Sequence, residues 1–268
     1  MHFLPGGDTL TDKEGVIQEG AFIQSLERGL AVIRAFDADH QSLTISEAAE
    51  RSEMTRAGAR RILHTLKALG YVSGDGKHFS LTARVLELGY AYLSSQGLSN
   101  VARVYMEEVV SECGESCALG VLDGADVVYI ARVQAPHLMT HSLGVGARLP
   151  ASATSLGRVL LAGLPARELD AALDTGPAGA SHERASMRAA LLEEIEAARL
   201  FGYSYVDEEI EMGLRSIAVP LHDRGNRVVA ALMVVAFSGR TSPQAMKERI
   251  LPILRRAARL SEQATGYP

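Results

Sequence analysis

From Thr55 to Leu69 the sequence reads TRAGARRILHTLKAL, and its aliphatic residues recur at the spacing of one helix face. At the helical period Ala59, Ile62, Leu63, Leu66 and Leu69 share one side, while Ala57, Arg60, Arg61 and His64 share the other. The Thr55 hydroxyl can cap the first turn, and no Gly or Pro interrupts the run after Gly58. Arg56, Arg60, Arg61 and Lys67 add charge, with no acidic residue between Thr55 and Lys67. Such a helix must bury an aliphatic stripe while presenting cations. A solvated face on an ordinary core helix satisfies that demand. So does a helix in the DNA major groove, where Arg bonds guanine and flanking cations hold phosphates.

The flanking segments favour the second reading. Ile23, Leu26, Leu30 and Ile33 predict a first helix beginning near Phe22 and closed by Asp37-Ala-Asp39. Thr44 with Glu47 three residues on forms a capping-box pattern, with Leu43 placed to staple against Ala48, so a short second helix follows. Ser52 to Thr55 is a tight link into the basic helix, as in a helix-turn-helix. Beyond the Gly70 stop, Tyr71-Val-Ser and His78-Phe-Ser-Leu81 flank a glycine-rich turn and predict a small hairpin. Three helices and a hairpin make a winged helix-turn-helix whose wing tip carries Lys77 and His78, within reach of a phosphate or the minor groove. The candidate DNA contacts are therefore Thr55, Arg56, Ala57, Arg60, Arg61, His64, Lys67, Lys77 and His78.

This module uses only residues 21–81 of 268. With 47% hydrophobic and 22% charged residues, the chain can build a second core. Its net charge of -5 argues against a binder that uses its whole surface, yet residues 51–67 carry five Lys/Arg against Glu53 alone, a local +4. The longest apolar run, Val228–Phe237, is about half of a bilayer span, and no signal-peptide h-region precedes the first helix, so a cytoplasmic protein without membrane contact is expected. Cys113 and Cys117 are too few for a disulfide framework and read as packing residues. Residues 1–20 read as a mobile arm, and 82–97 as a linker helix capped by Thr82 and running from Ala83 to about Ser94.

Residues 98–268 alternate helices and strands. Helices are expected over 99–112, 155–163, 165–173, 187–200 and 243–260. Strands are expected over 118–122, 126–133, 139–143, 203–206, 216–219 and 228–237, with 144–150 as a loop. The fold class is α+β, a winged helix-turn-helix followed by an antiparallel-sheet domain that can hold a small molecule.

Three stretches of this second domain could carry chemistry. Ala153-Thr-Ser155-Leu-Gly157 approaches the nucleophile-elbow spacing of hydrolases but has alanine for the first glycine. His137 and His141 sit in a loop and strand, where their spacing brings no shared metal, so no metal site is expected. From Arg148 to Ser155, small residues, hydroxyls and a cation meet a helix N-terminus, which suits an anionic ligand or, alternatively, a tightly packed loop with a Ser/Thr cap. Asp207-Glu-Glu209 with Arg215-Ser216 reads as the opposite wall or as an ion-paired rim.

The helix-turn-helix segment, Leu81-Thr-Ala-Arg-Val-Leu-Glu-Leu-Gly89, Arg148-Leu-Pro-Ala-Ser-Ala-Thr-Ser-Leu-Gly-Arg158 and Asp207-Glu-Glu-Ile-Glu-Met-Gly-Leu-Arg-Ser-Ile-Ala218 together resemble the matching blocks of the IclR family of bacterial transcription regulators. The likeness runs from Phe22 to about Leu260. Phe22–Phe36 and Glu87–Ser95 are most similar to the branch that controls protocatechuate and 4-hydroxybenzoate breakdown. The resemblance implies a GAF-like effector domain, double-stranded operator DNA as partner, homodimers or dimers of dimers, contact with RNA polymerase if the protein is an activator, and no cofactor or catalytic residue. It implies an effector pocket formed by Ser152, Ala153, Thr154, Ser155, Val206, Asp207, Leu214, Ser216 and Met233, beside Arg148. Ser216 stands where the glyoxylate-sensing type member has cysteine and Met233 where it has serine, which fits an aromatic acid. Glu53-Met54 replaces the family's commoner Gly-Leu pair in the helix-turn-helix turn. Rival readings are a hydrolase built on the 148–158 loop and a ligand-independent structural DNA binder.

Overall fold

The computed structural model describes residues 11–12, 15–16, 22–89, 97–136, 143–173 and 182–265. The chain divides into two compact units, Met1–Tyr92 and Leu93–Pro268. In the first, β1 (Thr11–Asp12) pairs antiparallel with β2 (Gly15–Val16), two short strands inside the segment expected as a mobile arm. α1 (Gln24–Arg34), α2 (Ile45–Arg51) and α3 (Arg56–Ala68) follow. The Thr44–Glu47 capping box is formed in both directions, and Leu43 and Ala48 lie in one buried cluster. Leu43 and Thr44 do more than cap: as β3 (Leu43–Thr44) they pair with β5 (His78–Leu81), which also pairs with β4 (Val72–Gly74). The wing is thus three-stranded, and Phe79, Leu43 and Leu63 close the core without solvent contact.

Two local details differ from the sequence reading. Leu69 is 53% exposed because α3 ends at Ala68 and Leu69 is its C-cap, turned away from the stripe that buries Ala59, Leu63 and Leu66. Gly70 follows with φ +82, a conformation open to glycine. Thr82 caps a 3-10 turn, Ala83–Val85, and helical backbone continues over 86–89; the rest of the expected 83–94 helix lies outside the described residues. In the helix-turn-helix turn Glu53 itself adopts φ +51, so the glutamate takes the left-handed conformation that glycine adopts without strain.

The second unit is built on one antiparallel six-stranded sheet. Its strands are β6 (Ser116–Asp123), β7 (Asp126–Val133), β8 (Arg148–Pro150), β9 (Ser204–Asp207), β10 (Leu214–His222) and β11 (Val228–Phe237), in spatial order β8-β7-β6-β11-β10-β9. The stretch read as a loop over 144–150 therefore ends in an edge strand, because Asp126–Val128 offers it a free ladder. The expected strand over 139–143 falls mostly outside the described residues. Gly124, at φ +64, makes the β6–β7 hairpin turn.

Alternation along the strands sorts side chains to two faces. On one, Leu119, Ile217, Leu232 and Val234 pack with α4 (Leu98–Cys113) and α8 (Leu251–Thr265). Cys113 and Cys117 are buried there, and burial pushes both thiols up, which agrees with a packing role. Pro252 has no N–H for the Glu248 carbonyl, and the expected single helix over 243–260 opens into a π turn, Met246–Ile250, just before it. On the other face, Ala118, Ala218, Ala231 and Met233 lie under α5 (Ser155–Ala162), α6 (Ala166–Leu173) and α7 (His182–Phe201).

Gly157 sets how closely the 3-10 turn Ala151–Ala153 approaches α5, since a Cβ there would lie 2.0 Å from the Ala151 carbonyl oxygen. Backbone cannot yield as a flexible side chain can. Gly157→Ala is expected to destabilise this unit by about 3 kcal/mol, read as a lowered urea midpoint of its unfolding transition.

Candidate functional site

The basic face of α3 is laid open by its own cap and core. Gly58 N donates to Thr55 Oγ1 at 3.2 Å, which fixes the first turn, and burial of Ala59, Leu63 and Leu66 points the other side outward. Arg56, Ala57, Arg60, Arg61 and His64 are all exposed. Among the described residues, the guanidinium groups of Arg56, Arg60 and Arg61 have no ion pair or side-chain hydrogen bond. Lys67 differs: its ammonium donates to the Gly74 carbonyl of the wing, so it ties α3 to β4. His64 meets the Phe79 ring edge-on at 5.9 Å, a second tie between helix and wing. At the wing turn, Asp75 Oδ1 accepts from the backbone N–H groups of Lys77 and His78, and these bonds hold its carboxyl below the usual carboxylate range. The Lys77 and His78 side chains stay exposed beside it. Helix, wing and their cations form one positively charged surface on a rigid module.

The second unit contains a cavity of about 250 Å³ between the sheet and the segments 143–154 and 209–215. Cross-strand pairing defines its floor. Arg132, Ala118, Met233 and Ala218 form one row across β7, β6, β11 and β10. Ser116, Val235, Ser216 and Val206 form the next row, across β6, β11, β10 and β9. Ala118 in the first row leaves room that a larger side chain would fill. Tyr129, Leu149, Leu143, Ile210 and Leu214 complete mostly apolar walls. An apolar cavity of about 150 Å³ accepts a benzene-sized ring, so this space accommodates one ring with polar substituents.

The residues named from sequence divide around this cavity. Thr154, Val206, Leu214, Ser216 and Met233 line it. Ser155 is fully buried just behind, and its hydroxyl donates to Ser216 Oγ at 2.8 Å, so it supports the wall. That hydroxyl is not presented as the exposed nucleophile a hydrolase elbow requires. Thr154 caps α5 through Gly157 N, 2.8 Å, so the packed-loop alternative describes it as well. Ser152 and Ala153 belong to the 3-10 turn outside the lining; the Ser152 carbonyl accepts from Arg158 Nε. Asp207 also lies off the lining, held 3.0 Å from Arg215 Nε and accepting from the Tyr205 hydroxyl. Burial and then that hydrogen bond push the Tyr205 phenol up to about 12.

Arg148 is placed away from the cavity. Its guanidinium bonds Asp123 Oδ2 at 2.7 Å and Asp126 Oδ2 at 3.2 Å, because as part of an edge strand it faces the acidic β6–β7 hairpin. The cation that does line the cavity from β7 is Arg132, which the sequence reading passed over. His137 and His141 lie outside the described residues, and among the described residues no cluster of His, Cys, Asp and Glu could hold a metal.

Arg158, 7% exposed, anchors the rim. Its Nη1 and Nη2 donate to the two oxygens of Glu209 at 2.9 and 2.6 Å, and Nε donates to Ser152 O at 3.1 Å. Glu194 on α7 stands 3.6 Å away. The 208–213 segment is thereby fastened to α5, with Glu208 at φ +59 and Gly213 at φ +88 turning the backbone at its ends. Glu209 and Arg215 thus line the cavity, while the Asp207–Glu209 and Arg215 group as a whole forms an ion-paired rim.

Known proteins carry the same two parts. Residues 25–76 match the family described as IclR helix-turn-helix domain, and residues 90–261 match bacterial transcriptional regulator IclR C-terminal. The chain is 42% identical to the Pca regulon regulatory protein of Pseudomonas putida over 89% of this chain and 82% of that one. It is 35% identical to the p-hydroxybenzoate hydroxylase transcriptional activator of Acinetobacter baylyi, covering 88% and 90% of the two chains. A solved IclR homologue from Microbacterium hydrocarbonoxydans, complexed with 4-hydroxybenzoate, superposes with a TM-score of 0.77 at 27% identity, covering 90% of this chain and 99% of the other. With a basic helix-turn-helix face, a sheet domain holding an apolar cavity, and family matches across both, this chain belongs to the IclR family of DNA-binding bacterial transcriptional regulators.

Proposed function

We propose that a single-ring aromatic carboxylate, such as protocatechuate or 4-hydroxybenzoate, enters the cavity of the sheet domain and controls how the basic helix engages operator DNA. The observation that carries this reading is the shape of the cavity: about 250 Å³, floored by Ala118 and Met233, walled by apolar residues and open beside a cation. A two-carbon acid leaves most of that volume unfilled, whereas one ring fills it. The names of the relatives from Pseudomonas and Acinetobacter and the 4-hydroxybenzoate complex of the Microbacterium homologue support the same class of ligand. In this mechanism two copies of the chain bind a pseudo-palindromic site, one basic helix to each half. Ligand binding shifts the dimer between two arrangements by its different affinity for each, and no bond is made or broken.

Thermal melts against protocatechuate, 4-hydroxybenzoate, benzoate, glyoxylate and acetate test the effector. A ligand at 100 times its Kd stabilises by about 2.7 kcal/mol, which at about 2–4 °C per kcal/mol raises Tm by several degrees. The hydroxybenzoates are expected to give that shift; a shift with glyoxylate alone would overturn the ligand class. On the DNA side, Arg60→Ala is expected to cost about 1–3 kcal/mol of operator affinity and to relax preference at one base position. A uniform loss across sequences, in a binding-site selection assay, would assign Arg60 to phosphate instead. Lys77→Ala is expected to reduce the slope of log K against log salt by about one, and an unchanged slope would remove the wing tip from the interface.

A further inference from the structure

Three guanidinium groups stand at or near the cavity, and their partners separate them. Arg158 is buried and bidentate with Glu209, its third N–H engaged by the Ser152 carbonyl. Arg215 also lines the cavity, but it sits opposite Ala236, which belongs to the core on the far face of the sheet, so its guanidinium turns to that side. There Nη1 donates to Thr241 O at 2.9 Å, and Nε stands 3.0 Å from Asp207. Arg132 sits opposite Ala118 in the row that includes Met233, so it belongs to the cavity floor. Its Nη1 donates to Leu143 O at 2.6 Å, and among the described residues no carboxylate pairs with it.

We infer that Arg132 receives the carboxylate of the effector and fixes which way round the ligand lies. This deepens the effector reading above and rests on it. The single tie to Leu143 O holds the guanidinium at the mouth while leaving further N–H donors for a fork-like contact with a carboxylate. Charge balance points the same way. Glu209 is neutralised by Arg158 and Asp207 by Arg215, which leaves Arg132 facing the cavity with Glu211 as the remaining lining carboxylate. Without Arg132 the rim would be acidic and would repel an anion.

The register also supplies a length. From β7 to β10 is three strand spacings, about 14 Å between backbones, a gap that one extended arginine arm and one aromatic ring fill together. A ligand with its carboxylate on Arg132 directs its para position toward Ser216, whose oxygen already accepts from Ser155 and whose own O–H is left to donate. The site so defined selects a monoanionic ring acid with an acceptor group para to the carboxylate.

Isothermal titration of the full chain with 4-hydroxybenzoate and with its neutral counterpart, 4-hydroxybenzamide, separates recognition of charge from support of the cavity wall. Wild type is expected to prefer the acid. Arg132→Gln is expected to weaken the acid by about ten- to a hundredfold, the size of a lost hydrogen-bonded charge contact, while the amide changes by less than about twofold. Arg132→Lys should restore part of the acid affinity, since a point charge replaces the fork. Equal weakening of acid and amide would make Arg132 a support for the 143 segment and overturn the inference. So would an unchanged acid affinity in Arg132→Gln, with the effector reading intact. Wild type that binds the two equally overturns it without any variant, and wild type that binds neither overturns both readings.

Discussion

Antiparallel pairing in the central sheet is the constraint from which both the core and the cavity of the second unit follow. Because neighbours across strands share a face, the pairs Ala118↔Arg132 and Ala118↔Met233 put all three side chains on one side. A slip of one residue would send them into the core and bring Leu119 and Val234 out. The face under α4 and α8 is filled by branched aliphatic side chains. The opposite face carries alanines beneath a helix that Gly157 lets the chain approach closely. A void lined by hydrocarbon, with an arginine at one edge and hydroxyls at the other, results from where small residues fall in this repeat.

In the first unit, the corresponding constraint is the tie between helix and wing. Phe79 fills the core between them, His64 meets its edge, and Lys67 bonds the Gly74 carbonyl. Two residues that look like further cations for DNA thus brace the surface on which Arg56, Arg60, Arg61 and Lys77 are displayed. Placing charge on a braced surface lowers the ordering cost of docking it against a rigid duplex.

Much of this architecture was legible in the sequence because its signals are local. Periodicity gave α1, α3, α4 and α7; hydroxyl caps gave Thr44, Thr55 and Thr82; strand patterning gave β6 and β7. What escaped depends on contacts between distant segments. β3 is two residues long and exists because β5 lies beside it, 36 residues later by the pairing of Leu43 with Phe79. Arg148 looked like an anion receptor from its loop neighbours, yet Asp123 and Asp126, brought close by the sheet, bind it. Arg132 carries no motif. Its position emerges only once Ala118 is known to face it and Met233 is known to lie on the same row. Leu214, Ser216 and Met233 were reached by resemblance to the family, and the cavity they line follows from the register.

The Arg158–Glu209 pair bears on how a binding event can be transmitted. Since the guanidinium already fastens the 208–213 segment to α5, that part of the cavity wall is built before any ligand arrives. Binding then loses little free energy to ordering this wall. In the proposed mechanism, more of the ligand's interaction energy then remains available as preference for one arrangement of the dimer over another, the quantity that sets the strength of a molecular switch.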